Sequence, residues 1–140
     1  MKVCASVLAV ALAGLAAPAF AGDVTVTLTG VQAKGGQMLV SLQSRDQFMQ
    51  PTATRGAKAE VTAAGDMVLT IPDVPAGEYA VMVLHDENGD FQMAREPNGK
   101  PLEGWAMSGT FPGGRKPTFD EVKVAVPTQG ASVTEAMVYP

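Results

Sequence analysis

A short acidic stretch, residues 85–90, holds most of the side chains that could do chemistry in this chain. Its sequence is His-Asp-Glu-Asn-Gly-Asp, and His85 is the only histidine. A carboxylate beside an imidazole can tune it for acid–base catalysis, so an enzyme could use His85 with its acidic neighbours or with Glu103. No nucleophile motif accompanies them, because Ser108 lacks the Gly-x-Ser-x-Gly setting. The alternative is a structural histidine that anchors the following loop through hydrogen bonds.

The same stretch also has the spacing of a calcium loop. Asp86, Asn88 and Asp90 occupy positions one, three and five, where oxygen side chains converge as the chain curls around an ion. Calcium prefers about six to eight oxygen ligands, so Glu96, Glu103 or water would have to complete the shell. The alternative is an Asx turn, in which side-chain oxygens accept hydrogen bonds from local amides. We expect no cofactor, with calcium as the one candidate.

A central strand must position these residues. Every residue from Tyr79 to Leu84 is apolar, which predicts a strand covered on both faces. A turn rich in proline and glycine, residues 72–77, precedes it. His85 follows at the end of this strand, on the same face as Tyr79.

Short strands separated by turn signals make up the rest of the chain. Apolar or alternating runs predict strands at residues 24–29, 38–42, 58–62, 67–71, 79–84, 119–126 and 132–139, the last two paired antiparallel. Seven strands without crossover helices predict an all-β fold, an antiparallel seven-stranded sandwich with one long irregular loop. A small closed barrel is the alternative.

The long loop, residues 86–117, is rich in glycine, proline and charges of both signs. It exceeds the roughly 12 to 15 residues at which structureless loops become uncommon, and its aromatic residues argue against disorder. We expect it to fold back and to lay Trp105 on the outer face of the central strand, formed by Ala80, Met82 and Leu84. The alternative is a linker with a stray tryptophan.

The N-terminus has the pattern of a signal peptide. Lys2 supplies a positive start, residues 5–17 are an almost unbroken apolar run, and Ala19-Phe20-Ala21 has the small-x-small form of a cleavage site. The run is shorter than the roughly 18 to 20 residues of a spanning helix. We therefore expect residues 1–21 to be a signal peptide cleaved after Ala21. The mature protein, residues 22–140, would be one periplasmic or secreted domain with no membrane span.

Cysteine content and charge exclude several classes. The only cysteine, Cys4, lies in the predicted signal peptide, so residues 22–140 offer no thiol for a disulfide, redox chemistry or zinc. Lys2 is the only charged residue before Gly22, which leaves nine basic and fourteen acidic residues and a net charge of about −5. Nucleic-acid binding would need concentrated positive charge, so we expect no nucleic-acid partner.

Three motifs in order resemble a known family. They are Pro-x-Gly-x-Tyr-Ala-Val before residues 85–89, Pro-x-Glu-Gly-Trp-x-x-Ser from Pro101, and Pro-x-Phe-Asp from Pro117. This combination is similar to the uncharacterised family of exported bacterial proteins called domain of unknown function 2141, most closely over residues 74–126. The Pro-Gly-Tyr turn also resembles those of transthyretin-like and immunoglobulin-like sandwich modules. The resemblance implies an exported β-sandwich without an established activity, and it implies a glycine where this chain has Phe91.

Two classes of function follow. The first is an exported, non-enzymatic module that binds a small molecule, glycan or envelope protein through the long loop. Its candidate ligand-binding residues are His85, Asp86, Glu103 and Trp105. Trp105 could stack on a sugar or an apolar group, and anions could meet the basic loop residues Arg95, Lys100, Arg115 and Lys116. The second is a small periplasmic enzyme using His85, or a calcium-binding module at the acidic stretch. The missing nucleophile and metal set favour the first.

Overall fold

The computed structural model describes residues 21–140, which form two packed β-sheets. The strands are β1 (Ala21–Val31), β2 (Gln37–Gln43), β3 (Arg55–Glu60), β4 (Gly65–Pro75), β5 (Gly77–Asp86), β6 (Gly104–Met107), β7 (Lys123–Val126) and β8 (Ala131–Ala136). A 3₁₀ turn spans Arg45–Gln47, and one α-helical turn, α1, spans Phe119–Val122. Apart from Ala21, the predicted signal peptide lies outside the described residues. Within residues 21–140, no helix is long and apolar enough to cross a membrane.

The two sheets differ in size and strand order. A three-stranded sheet has the order β4-β1-β8, with β8 parallel to β1. A five-stranded sheet has the order β3-β2-β5-β6, and β7 pairs with the first half of β5. The strand β5 is therefore central, with β2 along one edge and β7 and then β6 along the other. The prediction of an all-β sandwich is confirmed, because the strands form two sheets rather than one closed sheet.

The core lies between the inner faces of the sheets. It follows the alternation expected of half-buried strands, since alternate residues in the middle of β1 and β2, and over parts of β4 and β5, are buried. Its most enclosed apolar side chains are Val24, Val26, Leu28, Met38, Leu42, Ile71, Val74 and Val81. Burying one such side chain contributes roughly 1.5–3 kcal/mol, so apolar burial alone can hold this fold.

Residues 21–140 form eight strands where the sequence predicts seven. The additional strand is β6, which lies inside the segment predicted as an irregular loop. Only four residues long and flanked by glycine- and proline-rich sequence, β6 carries too short an alternation to be distinguished from a loop.

The predicted pairing of the last two strands is wrong. β7 lies beside β5, whereas β8 lies beside β1 in the other sheet. The connection at residues 127–130 crosses between the sheets, with the Gly130 amide bonded to the Pro127 carbonyl at 3.0 Å. Residues 119–122 are also helical rather than extended, because Thr118 and Glu121 form a capping box at the start of α1.

Candidate functional site

The outer face of the five-stranded sheet is the floor of a broad concavity, which we call the outer-face concavity. Two rows of paired residues cross β2, β5 and β6: Leu39, Leu84 and Trp105, and beside them Ser41, Met82 and Met107. All six side chains are half-buried. Since neighbouring strands lie about 4.8 Å apart, the floor is roughly 10 Å wide. The concavity has a volume of about 1460 Å³.

The opposite outer face of the sandwich has a different chemical character. Its corresponding rows on the three-stranded sheet are mostly hydroxyl side chains, with Thr25 between Thr70 and Ser132, and Thr27 between Val68 and Thr134. A hydroxyl-rich face is readily solvated, whereas the apolar face of the five-stranded sheet is not. Only the five-stranded sheet therefore presents an apolar floor.

The first wall of the concavity, residues 49–53, is held by the buried amide of Gln43. The Gln43 Nε2 donates to the carbonyls of Gln50 and Thr52 at 2.8 and 3.0 Å, and its Oε1 accepts from the Met49 amide at 3.0 Å. These bonds fix Met49 at φ 61°, in the left-handed region that a side chain rarely adopts. The Met49 side chain is 43% exposed.

The second wall begins at Asp86, whose carboxylate is fully buried. It accepts hydrogen bonds from Gln37 at 2.8 Å and from the amides of Gly89, Asp90 and Phe91 at 2.9, 3.2 and 3.1 Å. Burial acts to raise the pKa of Asp86, but these hydrogen bonds to the charged form outweigh it and the net pKa is lowered. The Asx-turn alternative itself is found at Asn88, whose Oδ1 accepts from the Asp90 amide two residues on at 3.2 Å, whereas Asp86 accepts from amides three to five residues on.

Phe91 stands in this wall in the same backbone conformation as Met49. Its φ is 59° and its side chain is 59% exposed, with the Lys58 ammonium 5.4 Å from the ring centre. A glycine, which the family resemblance implies at this position, would adopt this φ without strain. Phe91 also lines a smaller depression of about 490 Å³ beside Gly36.

Glu103 fixes the remainder of the second wall. Its buried carboxylate accepts from the Glu87 amide at 3.1 Å and from the Ala94 amide at 3.0 Å. Beyond Ala94, Arg95 and Pro101 form an antiparallel bridge that closes a small turn carrying Lys100. Asp86 and Glu103 thus lie at the base of one loop and hold its backbone.

The third wall comprises residues 111–117, including Phe111. Arg115 pairs with Glu121 of α1, and this ion pair, together with the Thr118 amide, lowers the pKa of Glu121 to about 2. The Arg115–Glu121 pair ties the wall to the sheet through the helical turn.

Trp105 lies on the floor, beside Leu84 rather than over it. Its own strand, β6, is bonded on its second edge as well, because Trp105 and Val138 exchange backbone hydrogen bonds of 2.9 and 2.7 Å. The expectation that Trp105 covers the outer face is therefore corrected: the indole is part of that face, and the rest of the long segment surrounds it.

His85 points the other way, into the sandwich, and is fully buried. One ring nitrogen, Nε2, lies 2.7 Å from the Gly35 carbonyl oxygen, and Nδ1 lies 2.8 Å from the Tyr139 hydroxyl. Tyr139 in turn accepts from the Gln32 amide at 3.1 Å. Both nitrogens of the imidazole are therefore engaged within the protein, away from the outer-face concavity.

Ser108 is equally enclosed. Its hydroxyl accepts from the Val81 amide at 2.9 Å and donates to the Val122 carbonyl at 2.5 Å. Val81 lies on β5 between the part paired with β7 and the part paired with β6, so Ser108 fills the gap between two short strands. Its oxygen is occupied in joining strands.

The charge around the concavity has one sign. Among residues 21–140, its lining includes four basic residues and neither Asp nor Glu, although acidic residues outnumber basic ones in the chain. The four are those named by the sequence: Arg95, Lys100, Arg115 and Lys116. Within residues 21–140, no group of three His, Cys, Asp or Glu side chains is arranged to hold a metal ion.

A family model described as "Uncharacterized protein conserved in bacteria (DUF2141)" matches residues 26–134. The chain belongs to this family. No curated protein and no solved structure matches it. The DUF2141 match spans every residue that lines the outer-face concavity, whereas the His85 partner Tyr139 lies beyond it.

The sequence does not predict the roles of two residues that shape the site in this DUF2141 chain. Gln43 directly follows the predicted strand 38–42 and looks like an ordinary solvated residue, and Met49 looks like a stray apolar group in a polar connection. The one signal present is at Phe91, where the family resemblance implies a glycine. Of the predicted ligand-binding residues, the structure places Trp105 in the concavity, Asp86 and Glu103 at the base of its wall, and His85 in the core.

Proposed function

We propose that the protein is an exported, non-catalytic module that binds a ligand in the outer-face concavity. The observation that carries this proposal is the pair of exposed apolar side chains at its walls, Met49 and Phe91. Each sits in a left-handed backbone conformation that costs about 1 kcal/mol or more, and each is held there by a buried polar side chain. Apolar side chains that are kept exposed despite the backbone strain of their positions favour a binding role for this surface. Export rests on the predicted signal peptide.

The alternative, a small enzyme built on His85, is less well supported. A general base must reach its substrate through a short hydrogen bond. The two imidazole nitrogens and the Ser108 hydroxyl are engaged with buried partners instead. Asp86 and Glu103 likewise accept hydrogen bonds from the backbone of the loop that they support.

The chain carries its own reporter for this proposal. Trp105 is the only tryptophan and lies on the floor. We expect the uncharged dye N-phenyl-1-naphthylamine to bind at micromolar concentrations and to quench Trp105 by energy transfer.

A charge placed on the floor should abolish dye binding. In Leu84→Glu the carboxylate would lie between Leu39 and Trp105, and burying it under an apolar molecule is unfavourable. The matched control is Val68→Glu, which changes a side chain that is 60% exposed on the opposite sheet and should bind the dye like wild type. Equal dye binding by both variants, with both folded by circular dichroism, would place the ligand elsewhere.

A further inference from the structure

The concavity combines features that a single class of ligand satisfies. In the part of the chain that the structure describes, four basic side chains and no acidic one line it, although the chain is acidic overall. Within residues 21–140, neither the Lys100 nor the Lys116 ammonium has an ion-pair partner. By contrast, Arg115 is paired with Glu121, and the Arg95 guanidinium donates to the Gly99 carbonyl at 2.9 Å. Charge complementarity therefore favours a ligand with a negative group, received by Lys100 or Lys116.

The floor does not suit a sugar. Of its six side chains, Ser41 is the only one with a hydroxyl. The nearby Gln43 amide is already bonded to the 49–52 backbone. A glycan lying on this floor would lose the hydration of its hydroxyls with only the Ser41 hydroxyl to replace it there, which is unfavourable.

An extended peptide is also poorly served. Peptides that bind sheets pair with the exposed backbone of an edge strand. The concavity lies on a sheet face, where β5 is already bonded to β2 on one side and to β6 on the other. It therefore offers side chains and no backbone ladder.

The apolar surface is suited to a flexible chain. Of the described residues, four methionines line the concavity, Met49, Met82, Met93 and Met107. Unbranched thioether side chains adjust their shape to a flexible partner better than branched side chains do. Trp105, Phe91 and Phe111 add broad apolar surface.

From these observations we propose that the ligand is a single-chain anionic amphiphile, a fatty-acid anion. Its alkyl chain lies along the methionine-rich floor and its carboxylate meets Lys100 or Lys116. This inference rests on the proposed function, because it names the ligand class of the same concavity.

The test is displacement of the bound naphthylamine dye by matched amphiphiles, with the carboxylates kept below their micellar concentrations and the alcohol below its solubility limit. The dissociation constant obtained from dye displacement should be at least about fivefold lower for decanoate than for uncharged decan-1-ol. This difference in affinity should shrink as NaCl rises from about 0.05 to 0.5 M, because salt screens the charge interaction. From octanoate to dodecanoate, affinity should rise about two- to fourfold for each methylene, as expected for burial of an alkyl chain. Maltohexaose should not displace the dye.

Variants locate the carboxylate. The double variant Lys100→Gln with Lys116→Gln should bind decanoate about fourfold or more weakly than wild type. Its affinity for decan-1-ol should be unchanged. The matched control is Arg55→Gln, which removes one exposed positive charge outside the concavity and should change decanoate affinity by less than about 1.5-fold.

The failures of the two proposals are distinguishable. If the dye does not bind, the proposed function fails. If the dye binds but decanoate and decan-1-ol displace it equally, or the lysine variants leave decanoate unchanged, the anion inference fails and the binding function stands. Displacement by maltohexaose would likewise overturn the inference in favour of a glycan. A dimer in sedimentation velocity that Leu84→Glu dissociates would assign the concavity to a second copy of the chain.

Discussion

Where regular strand pairing is interrupted in this protein, buried polar side chains supply the hydrogen bonds to the backbone. Ser108 joins the backbones of Val81 and Val122, Gln43 holds the 49–52 connection, and Asp86 collects three loop amides. Each of these side chains is almost fully enclosed. Because an enclosed polar group without a partner is costly, removing any one of them should destabilise more than the bond itself contributes.

Ser108→Ala tests this at the junction of β6 and β7. The substitution leaves the Val81 amide and the Val122 carbonyl enclosed without their partner, which should lower the free energy of unfolding by about 2–4 kcal/mol. Urea unfolding at neutral pH measures the loss. Ser132→Ala, on the exposed side of β8, should stay within about 0.5 kcal/mol of wild type. Equal effects of the two substitutions would mean that the Ser108 bonds contribute nothing specific.

Asp86→Asn should give a pH-dependent loss. The folded pKa of Asp86 lies below its ordinary value, so the carboxylate stabilises the fold above about pH 4, and this contribution is lost as the pH falls through the folded pKa. The variant should therefore be less stable than wild type at pH 7, by about 1–3 kcal/mol, and the difference should narrow towards pH 3.

The control for this pH profile is Asp66→Asn, which changes an exposed carboxylate at the start of β4. It should follow wild type at both pH values. A gap between Asp86→Asn and wild type that is constant from pH 7 to pH 3 would show that the carboxylate charge is not what the loop amides require.

At the scale of elements, the long central strands were predictable and the short ones were not. β5 has an apolar run with turn signals before it and polar residues after it, so its pattern is unambiguous. β6 exists only because β5 and Val138 supply partners on both of its edges, and those partners are distant in sequence. The pairing of β8 with β1 likewise depends on tertiary contacts, since a short turn can join strands of one sheet or of two.

The same holds for the residues of the concavity. The sequence singled out Trp105 and the basic residues, but it did not single out Gln43.

Gly104→Ala should disturb β6 from its inner side. A methyl group at Gly104 would overlap the ring of Tyr139, which bonds to His85. We expect a loss of about 1–3 kcal/mol in urea unfolding, as is typical of overpacking. Gly113→Ala is the matched control, because its methyl group would meet open space, and it should be near neutral.

The cause of the Gly104→Ala effect can be isolated by a second substitution. In a Tyr139→Ala background the ring is gone, so the added methyl group has space and its cost should fall below about 1 kcal/mol. An undiminished cost in the double variant would assign the effect to the β6 backbone rather than to the ring.

At the scale of the whole molecule, the sandwich is held by apolar burial between the sheets, and its outer-face concavity is added on one side. Within the described part of the chain, the core is formed mainly by β1, β2, β4 and β5 and contains no thiol. The walls of the concavity are held by hydrogen bonds to the side chains of Gln43 and Asp86, which belong to the five-stranded sheet. Walls and core should therefore unfold together, since Asp86 and Gln43 end the strands β5 and β2 themselves.

The last prediction is that residues 22–140 melt cooperatively without calcium. Both Asp86 carboxylate oxygens already accept amide protons, and Asp90 bonds to Asn88 and to the Gln92 amide, so the loop needs no ion to satisfy it. Trp105 fluorescence, which reports on β6, and far-ultraviolet circular dichroism should give one coincident transition. Adding a chelator should move its midpoint by less than about 2 °C. A saturated calcium site would stabilise the native state by about 2.7 kcal/mol at a hundredfold excess over Kd, which corresponds to a shift of roughly 10 °C in a domain of this size. A fall of that magnitude in chelator, lost in Asp90→Asn, would establish the calcium loop that the one-three-five spacing first suggests.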